Sequence, residues 1–291
     1  MAQVLNSGFW KAQWQQAADG SRFREVYPDD KVIWNRSARS FDTGMGKRGA
    51  REEALLRTLE SVGFLPSSGK RALDIGSGTG SLAIPLAQSG IAVDALDNSE
   101  EMNAVLREKC AANGIGNVNI IAEDFNDFAA GDGAYDLVLG SLNPCLYNPA
   151  SFLKMLALTR DVIVYIGIVG SNAPENAKPP EKSLVELITG ISPGHNGSNH
   201  IIYPLNLLLT MGMRPVVDYV PSYWERSEAP DVAIARLVEQ YAHFKDKHPD
   251  LEQIVTDYVA QRVTEGLFTE RGGGAMGIVT CRKSERGTPN E

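Results

Sequence analysis

From Arg71 onward, the chain alternates between short apolar runs and amphipathic segments of helix length. Apolar runs of this size indicate strands that are buried on both faces of a sheet, and the segments between them indicate crossover helices. The order predicts a doubly wound α/β fold with a mostly parallel sheet and helices on both faces. The first five strands are predicted at 71–75, 92–97, 118–122, 135–140 and 161–168.

Further helices and two more strands complete the predicted organisation. The sequence after Gly170 predicts, in order, a polar loop, a helix (181–189), a polar turn, an apolar segment (201–212), a strand (214–224), two helices (230–244 and 251–266) and a last strand (274–283). The last two strands close a seven-stranded sheet. We divide the chain into a helical N-terminal extension (1–65), a core (66–285) with inserted cap segments (171–213 and 230–266), and a tail (286–291).

The charge balance argues against a nucleic-acid-binding protein. The chain has a formal net charge of −8 and a pI of about 5.2, whereas phosphate backbones are bound by clustered Lys and Arg. One local basic cluster, Lys47, Arg48 and Arg51, is interpreted as the solvated start of a helix. No nucleic-acid partner is therefore expected.

The cysteines and the first residues indicate the cellular compartment of the protein. Cys110, Cys145 and Cys281 are odd in number and widely spaced, so neither a disulfide framework nor a zinc site is predicted. The first residues lack the basic start and the apolar run of a secretory signal, and no apolar run of about 20 residues follows. These features predict a cytoplasmic protein without a membrane partner, and the apolar C-terminal helices offer a face for a homodimer.

The glycine-rich loop after the first strand is the strongest indication of a ligand. Asp74 is followed by Gly76, Ser77, Gly78 and Gly80. Residues without a Cβ allow a tight turn and the close approach of a ligand, and the helix start presents free N–H groups. Dinucleotide-binding folds use a related GxGxxG loop, but the spacing here is GxGxG. A carboxylate beside the loop would repel a pyrophosphate and attract a cofactor with a cationic amino-acid end.

This loop resembles the first motif of the class I S-adenosylmethionine-dependent methyltransferases, which have a Rossmann-like fold. Three later stretches extend the resemblance over about 70–170: ALDNSEEM, AEDF and YDLVLGSL, the last of which contains Asp136. The cofactor-binding set that the resemblance implies is Asp74, Gly76, Ser77, Gly78, Gly80, Asp97, Asn98, Met102, Asp124, Phe125 and Ser141.

The resemblance also implies a role for each stretch. Asp97 would accept hydrogen bonds from both ribose hydroxyls, and Met102 would pack on adenine. Asp124 and Phe125 would contact the adenine amino group and ring, and the end of the fourth strand would lie under the methionyl part. Each residue has a structural alternative: Asp97 could cap the following helix, although Ser99 is better placed for that, and Phe125 could belong to the core.

The N-terminal stretch WNRSARSFD resembles a helix that closes over the cofactor in many small-molecule methyltransferases. The corresponding positions are Trp34, Arg36, Ala38, Phe41 and Asp42. An amphipathic docking helix would explain Ala38 and Phe41 equally well.

The pair Asn143-Pro144 follows the fourth strand, where methyltransferases that act on planar amino groups have (Asp/Asn)-Pro-Pro-(Tyr/Phe). The second proline and the adjacent aromatic residue are missing here, and Tyr147 comes one residue late. We therefore interpret the pair as a loop feature near the site. Asn148 is expected to cap a helix that begins at Pro149.

Methyl transfer from a sulfonium requires alignment of the reactants and, for a protonated acceptor, a base. The candidate catalytic residues are Asn143, Tyr147, His195 and His200, and the candidate walls of the substrate pocket are Tyr27, Trp34 and Tyr203. No metal set is visible, and Cys145 is interpreted as a small buried residue.

The large extension and cap segments favour a small-molecule methyl acceptor, because they can enclose one and exclude water. The predicted function is S-adenosylmethionine-dependent methylation of a small molecule by in-line displacement. Two alternatives remain open at this stage. One is methylation of a protein or nucleic-acid amino group through the Asn143-Pro144 loop, and the other is a non-catalytic protein that binds the cofactor.

Overall fold

The computed structural model describes residues 6–26, 30–44, 50–170, 182–191 and 197–283. The strands are β1 (Arg71–Ile75), β2 (Ala92–Leu96), β3 (Val118–Ile121), β4 (Tyr135–Ser141), β5 (Thr159–Gly170), β6 (Val216–Glu228), β7 (Val263–Thr264) and β8 (Leu267–Arg282). Their order across the sheet is β3-β2-β1-β4-β5-β8-β6, with β7 paired to β8. Strands β1 to β5 are parallel, and β8 is antiparallel to both β5 and β6. The predicted doubly wound fold, with its mostly parallel seven-stranded sheet, is confirmed.

The helices lie on both faces of this sheet and in the added segments. They are α1 (Ser7–Asp19), α2 (Phe23–Val26), α3 (Asp30–Gly44), α4 (Ala50–Ser61), α5 (Ala83–Gln88), α6 (Glu100–Ala112), α7 (Pro149–Leu158), α8 (Leu184–Thr189), α9 (Ile202–Thr210), α10 (Pro230–Gln240) and α11 (Leu251–Ala260). The side chain of Ser99 caps α6, and that of Asn148 caps α7 with Pro149 as the first helical residue. Both caps are as predicted, because these side chains satisfy N–H groups that the first helical turn leaves unpaired.

The prediction was wrong about the end of the last helix. The helix expected to reach Gly266 ends at Ala260, and β7 and β8 form a hairpin immediately afterwards. Its two turn residues, Glu265 and Gly266, have φ values of 53° and 79°. Positive φ at both central residues is the geometry of a tight two-residue hairpin, which stops the helix.

The sheet is buried on both faces by separate apolar clusters. One face packs against α1, α7 and α9, and its core includes Trp14, Phe152 and Tyr165. The opposite face packs against α4 and α5, with Leu59 and Leu86 among its buried residues. Burial on both faces explains why the central strands read as continuous apolar runs in the sequence.

The antiparallel pair of β6 and β8 is longer than the sequence predicted and extends beyond β5. Strand β8 pairs with β5 only from Ala275 onward, whereas its pairing with β6 continues back to Phe268. Helices α8, α10 and α11 pack around this outer part in a third apolar core that includes Val26 of α2. None of the helices in the described parts of the chain has the length and apolar character that a bilayer crossing requires.

Candidate active site

A cavity of about 400 Å³ lies at the carboxyl ends of β1, β2 and β4, where open α/β sheets bind their ligands. Its volume is in the range of small-molecule sites. The N-terminal helices contribute Phe23, Trp34, Phe41 and Arg51 to the wall, and the strand ends and loops contribute Gly76, Gly78, Leu96, Asp97, Asn98, Met102, Glu123, Asp124, Phe125, Asn126, Ser141, Leu142, Asn143, Pro144 and Cys145.

The glycine loop has the backbone shape that its sequence predicts. Gly76, Gly78 and Gly80 have φ values of 68°, 54° and 85°, which side chains with a Cβ rarely adopt. The N–H of Gly76 donates to the carbonyl of Leu96 (2.7 Å), which ties the loop to the end of β2. A Cβ on Gly76 would lie 1.8 Å from Nδ2 of Asn143, so the loop after β4 sits directly on this glycine.

Asp97 joins the glycine loop to the start of α6. Its Oδ2 accepts from the N–H of Gly78 (2.9 Å), and its Oδ1 accepts from the N–H of Ser99 (2.8 Å). Each carboxylate oxygen has a further lone pair, so the group can still accept hydrogen bonds from a ligand in the cavity. Because Ser99 caps α6, capping does not account for Asp97.

The side chains that follow β2 and β3 meet at one end of the cavity. Asn98 Nδ2 donates to Asp124 Oδ2 (3.2 Å), and both residues line the wall. Met102 and Phe125 are 2% and 4% exposed and present apolar surface there. Flat apolar surface beside amide and carboxylate groups suits an adenine ring and its amino group.

At the other end of the cavity, the half-buried Arg51 lies in the wall and the buried Asp74 lies beneath it. Asp74 is 2% exposed, and its Oδ2 has no hydrogen-bond partner among the described residues. Burial raises the pKa of Asp74 to about 7, although the nearby Arg51 opposes the rise. Arg51 donates to the hydroxyls of Ser81 (2.6 Å) and Ser141 (3.3 Å), and burial lowers its pKa.

Arg51 was missed as a site residue. We expected the solvated start of a helix, but the structure places its guanidinium in the cavity wall. Lys47 and Arg48, the other members of that cluster, lie outside the described residues. No local pattern indicates this orientation, because only the packing of α4 beside β6 and β8 decides which way its first turn faces.

Helix α3 covers the cavity and is held to α6 by polar contacts. Ser99 Oγ donates to Asn35 Oδ1 (2.7 Å), and Asp42 Oδ1 accepts from Thr79 Oγ1 in the glycine loop (2.7 Å) and pairs with Lys109. Between these contacts, Trp34, Ala38 and Phe41 pack on Met102 and Val105. Burial, and to a lesser extent the positive charge of Arg36, lowers the pKa of His243, which lies in the 3₁₀ turn after α10.

The loop after β4 begins with a backbone conformation that is unusual for its residue type. Leu142 has a φ of 51°. Asn143 caps a short 3₁₀ turn, Pro144–Leu146, by accepting from the N–H of Cys145 at 3.0 Å. Ser141, Asn143 and Cys145 all line the cavity.

Several predicted residues lie elsewhere. The hydroxyl of Tyr147 donates to the carbonyl of Leu142 (2.8 Å), and the ring is not part of the cavity wall. His200 donates from Nε2 to the carbonyl of Val169 (2.6 Å), because its Nδ1 accepts from the N–H of Ile202 (3.0 Å). Tyr203 stacks on Trp14 at a centroid distance of 5.8 Å. Tyr27 and His195 lie outside the described residues.

Three further predicted residues lie under the site instead of in its wall. Asp74, Ser77 and Gly80 belong to the glycine loop or the strand before it, but the cavity wall does not include them. Asp136 lies at the opposite end of β4, where it accepts from Arg160 and from the N–H of Arg71. The other members of the predicted cofactor-binding set, together with Asn143 and Trp34, all line the cavity described above.

Part of the chain matches one family model. Residues 72–164 match the model of a family described as a methyltransferase domain. The search of curated proteins finds no match. Similar solved structures include a candidate methyltransferase from Bacillus halodurans C-125, at 16% identity over 79% of this chain and 99% of that chain (TM-score 0.47). They also include magnesium protoporphyrin IX methyltransferase from Synechocystis PCC 6803 with bound SAH (16%, 90% and 92%, TM-score 0.45) and the [4+2]-cyclase SpnF (15%, 80% and 79%, TM-score 0.45).

Proposed function

We propose that this chain, a class I S-adenosylmethionine-dependent methyltransferase, methylates a small molecule that binds beside the cofactor in the 400 Å³ cavity. The observation that carries the proposal is the roof of the cavity. Phe23, Trp34 and Phe41 come from the N-terminal helices and close over the carboxyl ends of the strands. A covered site encloses a small acceptor and excludes water, whereas a macromolecular substrate needs an open approach.

The residues present fit the cofactor at its charged end. Asp74 has a buried oxygen that accepts no hydrogen bond from the described residues, and the hydrogen bonds that Arg51 donates go to hydroxyls. The two groups attract each other electrostatically, and the amino and carboxylate groups of a zwitterion would add a closer partner for each. We therefore assign Arg51, in the wall, to the carboxylate of the methionyl part, and Asp74, beneath the wall, to the electrostatic attraction of its amino group.

The adenosine part fits the opposite end of the cavity. Asp97 would accept from the ribose hydroxyls, and Asn98 and Asp124 would contact the polar edge of adenine. Met102 and Phe125 would cover its faces, since both are buried in the cavity wall. When bound, S-adenosylmethionine would supply an electrophilic methyl group, with S-adenosylhomocysteine as the leaving group.

The protein's contribution to the displacement would be alignment. Asn143 and Cys145 lie in the cavity wall next to the methionyl end, and the aromatic roof would hold the acceptor against them. Two candidate bases are poorly suited to that role. Burial raises the pKa of Tyr147, and both ring nitrogens of His200 are engaged by the backbone.

The planar-amine alternative is less favoured by the orientation of Asn143. Its Oδ1 caps the 3₁₀ turn by accepting from the N–H of Cys145, and its Nδ2 packs against Gly76, so the two loops fix the direction of the carboxamide. Methylation of a conjugated amine would need that oxygen to receive a hydrogen bond from the acceptor. We therefore retain the small-molecule acceptor as the proposal.

The first test is calorimetric titration of the purified protein with S-adenosylmethionine and S-adenosylhomocysteine. Micromolar binding of both is expected. Transfer of a labelled methyl group would then be screened over small thiols, amines and phenols, with bulk protein and RNA as alternative acceptors. Transfer to a small acceptor supports the proposal, transfer only to protein or RNA refutes its substrate class, and binding without any transfer favours a non-catalytic role.

A further inference from the structure

Leu142, the residue that follows β4 at the cavity, has a backbone conformation that leucine rarely adopts. Its φ of 51° lies in the left-handed region, where a Cβ crowds the backbone. Among the described residues only Glu265, in the β7–β8 hairpin turn, shares a positive φ without being glycine. Such strain at a site points to a function, provided that neighbouring contacts maintain it.

The strained conformation determines what the loop presents to the cavity. Side chains along an extended strand alternate between two faces, so at most every second residue could face one cavity. Here five consecutive residues, 141–145, line the wall. The reversal at Leu142 allows this, and it also brings Asn143 onto Gly76 of the glycine loop.

Two hydrogen bonds hold Leu142 in place. Its N–H donates to the carbonyl of Ile166 in β5 (2.9 Å), and its carbonyl accepts from the hydroxyl of Tyr147 (2.8 Å). The second bond spans the 3₁₀ turn, so it closes the loop on itself. Burial raises the pKa of the Tyr147 hydroxyl, and the side chain of Asn199, in the turn before α9, opposes that rise.

Tyr147 is well suited to be a permanent donor. It is held between the 3₁₀ turn and the cap of α7. Burial raises the pKa of its hydroxyl above the ordinary value, so the group keeps its hydrogen at neutral pH. A group of this kind cannot act as a base, but it can hold a carbonyl in one position.

We propose that Tyr147 is a positioning residue whose hydroxyl holds Leu142 in the left-handed conformation and thereby sets the 141–145 loop against the cofactor. The inference rests on the proposed function, because its readout is cofactor binding. It assigns Tyr147 an indirect role, through Leu142 and Asn143, in place of contact with the acceptor.

The test is a double-mutant cycle at positions 142 and 147, read by calorimetric titration with S-adenosylhomocysteine. Tyr147→Phe removes only the hydroxyl and is expected to weaken binding about tenfold, because Leu142 then leaves the left-handed conformation and the 141–145 loop shifts. Leu142→Gly removes the penalty of the left-handed conformation, and its affinity is the reference for the second background. In the Leu142→Gly background, Tyr147→Phe should cost no more than about twofold, because glycine adopts this conformation without help.

Tyr135→Phe is the matched control. It removes a hydroxyl that donates to Asp94 (2.8 Å) at the other end of β4, far from the cavity, and should leave affinity unchanged. The proposal is overturned if Tyr147→Phe binds like the wild type, or if it costs the same in both backgrounds while melting curves show folded proteins. Absence of binding by the wild type would instead refute the proposed function.

Discussion

The two ends of the cavity are built from the chain in different ways. At the adenosine end, Asp97, Asn98 and Asp124 directly follow strands β2 and β3, so the order of the strands brings them together. At the methionyl end, Arg51 comes from a helix before the core, and Asn143 is brought in by a reversal at Leu142. The first end follows from local sequence, whereas the second depends on tertiary packing.

The largest loss of affinity is expected from a substitution at Gly76, where the glycine loop meets the 141–145 loop. Gly76→Ala would place a Cβ 1.8 Å from Asn143 Nδ2, on a backbone with a φ of 68°. Because the glycine loop and the 141–145 loop would have to separate, binding of S-adenosylhomocysteine should weaken by more than about a hundredfold, or roughly 3 kcal/mol. Calorimetric titration together with thermal melting would measure this.

Gly114→Ala separates backbone strain from the clash. Gly114 has a φ of 63°, but a Cβ there would meet no atom within 4 Å. This variant should lose about 1 kcal/mol of stability and keep its affinity. Equal affinities for the two variants would show that the contact between the loops is unimportant for binding.

The next largest effect tests the adenosine end alone. Asp97→Ala removes the acceptor assigned to the ribose hydroxyls and also the partner of the Gly78 N–H. Affinity for S-adenosylmethionine should fall at least tenfold, because charged hydrogen bonds are lost. An unchanged dissociation constant in the same titration would remove Asp97 from the site.

Arg51→Gln tests the methionyl end. Affinity for S-adenosylhomocysteine should fall about tenfold, because the assigned carboxylate loses its cationic partner. Affinity for 5′-methylthioadenosine, which has no amino-acid end, should stay the same. Arg57→Gln is the matched control on α4, since Arg57 is exposed and pairs with Asp218 on β6. Equal losses for both ligands would mean that Arg51 acts on the fold and not on the carboxylate.

The smallest effect on affinity accompanies a pH dependence of stability that Asp74 causes. Burial raises its folded-state pKa from 3.8 to about 7, so the free protein binds a proton there more tightly than the unfolded chain does. The folded state should therefore lose stability as the pH rises from about 4 to 7, by up to about 4 kcal/mol. Asp74→Asn should remove that loss, which denaturant unfolding at pH 5 and pH 8 would show.

The same ionisation should be visible in cofactor binding. Only the charged carboxylate attracts an amino group, so affinity for S-adenosylhomocysteine should rise about fivefold between pH 6 and 7.5. In Asp74→Asn the rise should disappear and affinity at pH 7.5 should be lower. If the affinity of the wild type does not change between pH 6 and 7.5, the charge of Asp74 does not attract the amino group of the ligand.

The sequence was sufficient for the fold and for the positions of the strand-end residues. The glycine spacing and the apolar runs are local patterns, and in a parallel sheet the residues that follow each strand share one edge. Met102 and Asn98 could be assigned to the site from the sequence alone. These positions were predictable because the strands themselves fix them.

Arg51 and Leu142 were not predictable, for two physical reasons. The charge of Arg51 favours water in the absence of other information, and only the packed sheet shows that its helix start faces inward. A left-handed leucine opposes the intrinsic preference of its residue type, so no local rule indicates it. Tyr203 shows the opposite error: an aromatic residue near the site in sequence order is used for packing against Trp14.

The position of β8 has a consequence for how the molecule is made. This strand lies between β5 and β6 in the sheet, yet it follows both of them in the chain. As the polypeptide leaves the ribosome, the half that contains the glycine loop can assemble while the outer side of β5 still lacks its partner. An unpaired strand edge of this kind attracts other chains. Folding of the newly made protein therefore remains open to intermolecular pairing until the β7–β8 hairpin has emerged and occupied that edge.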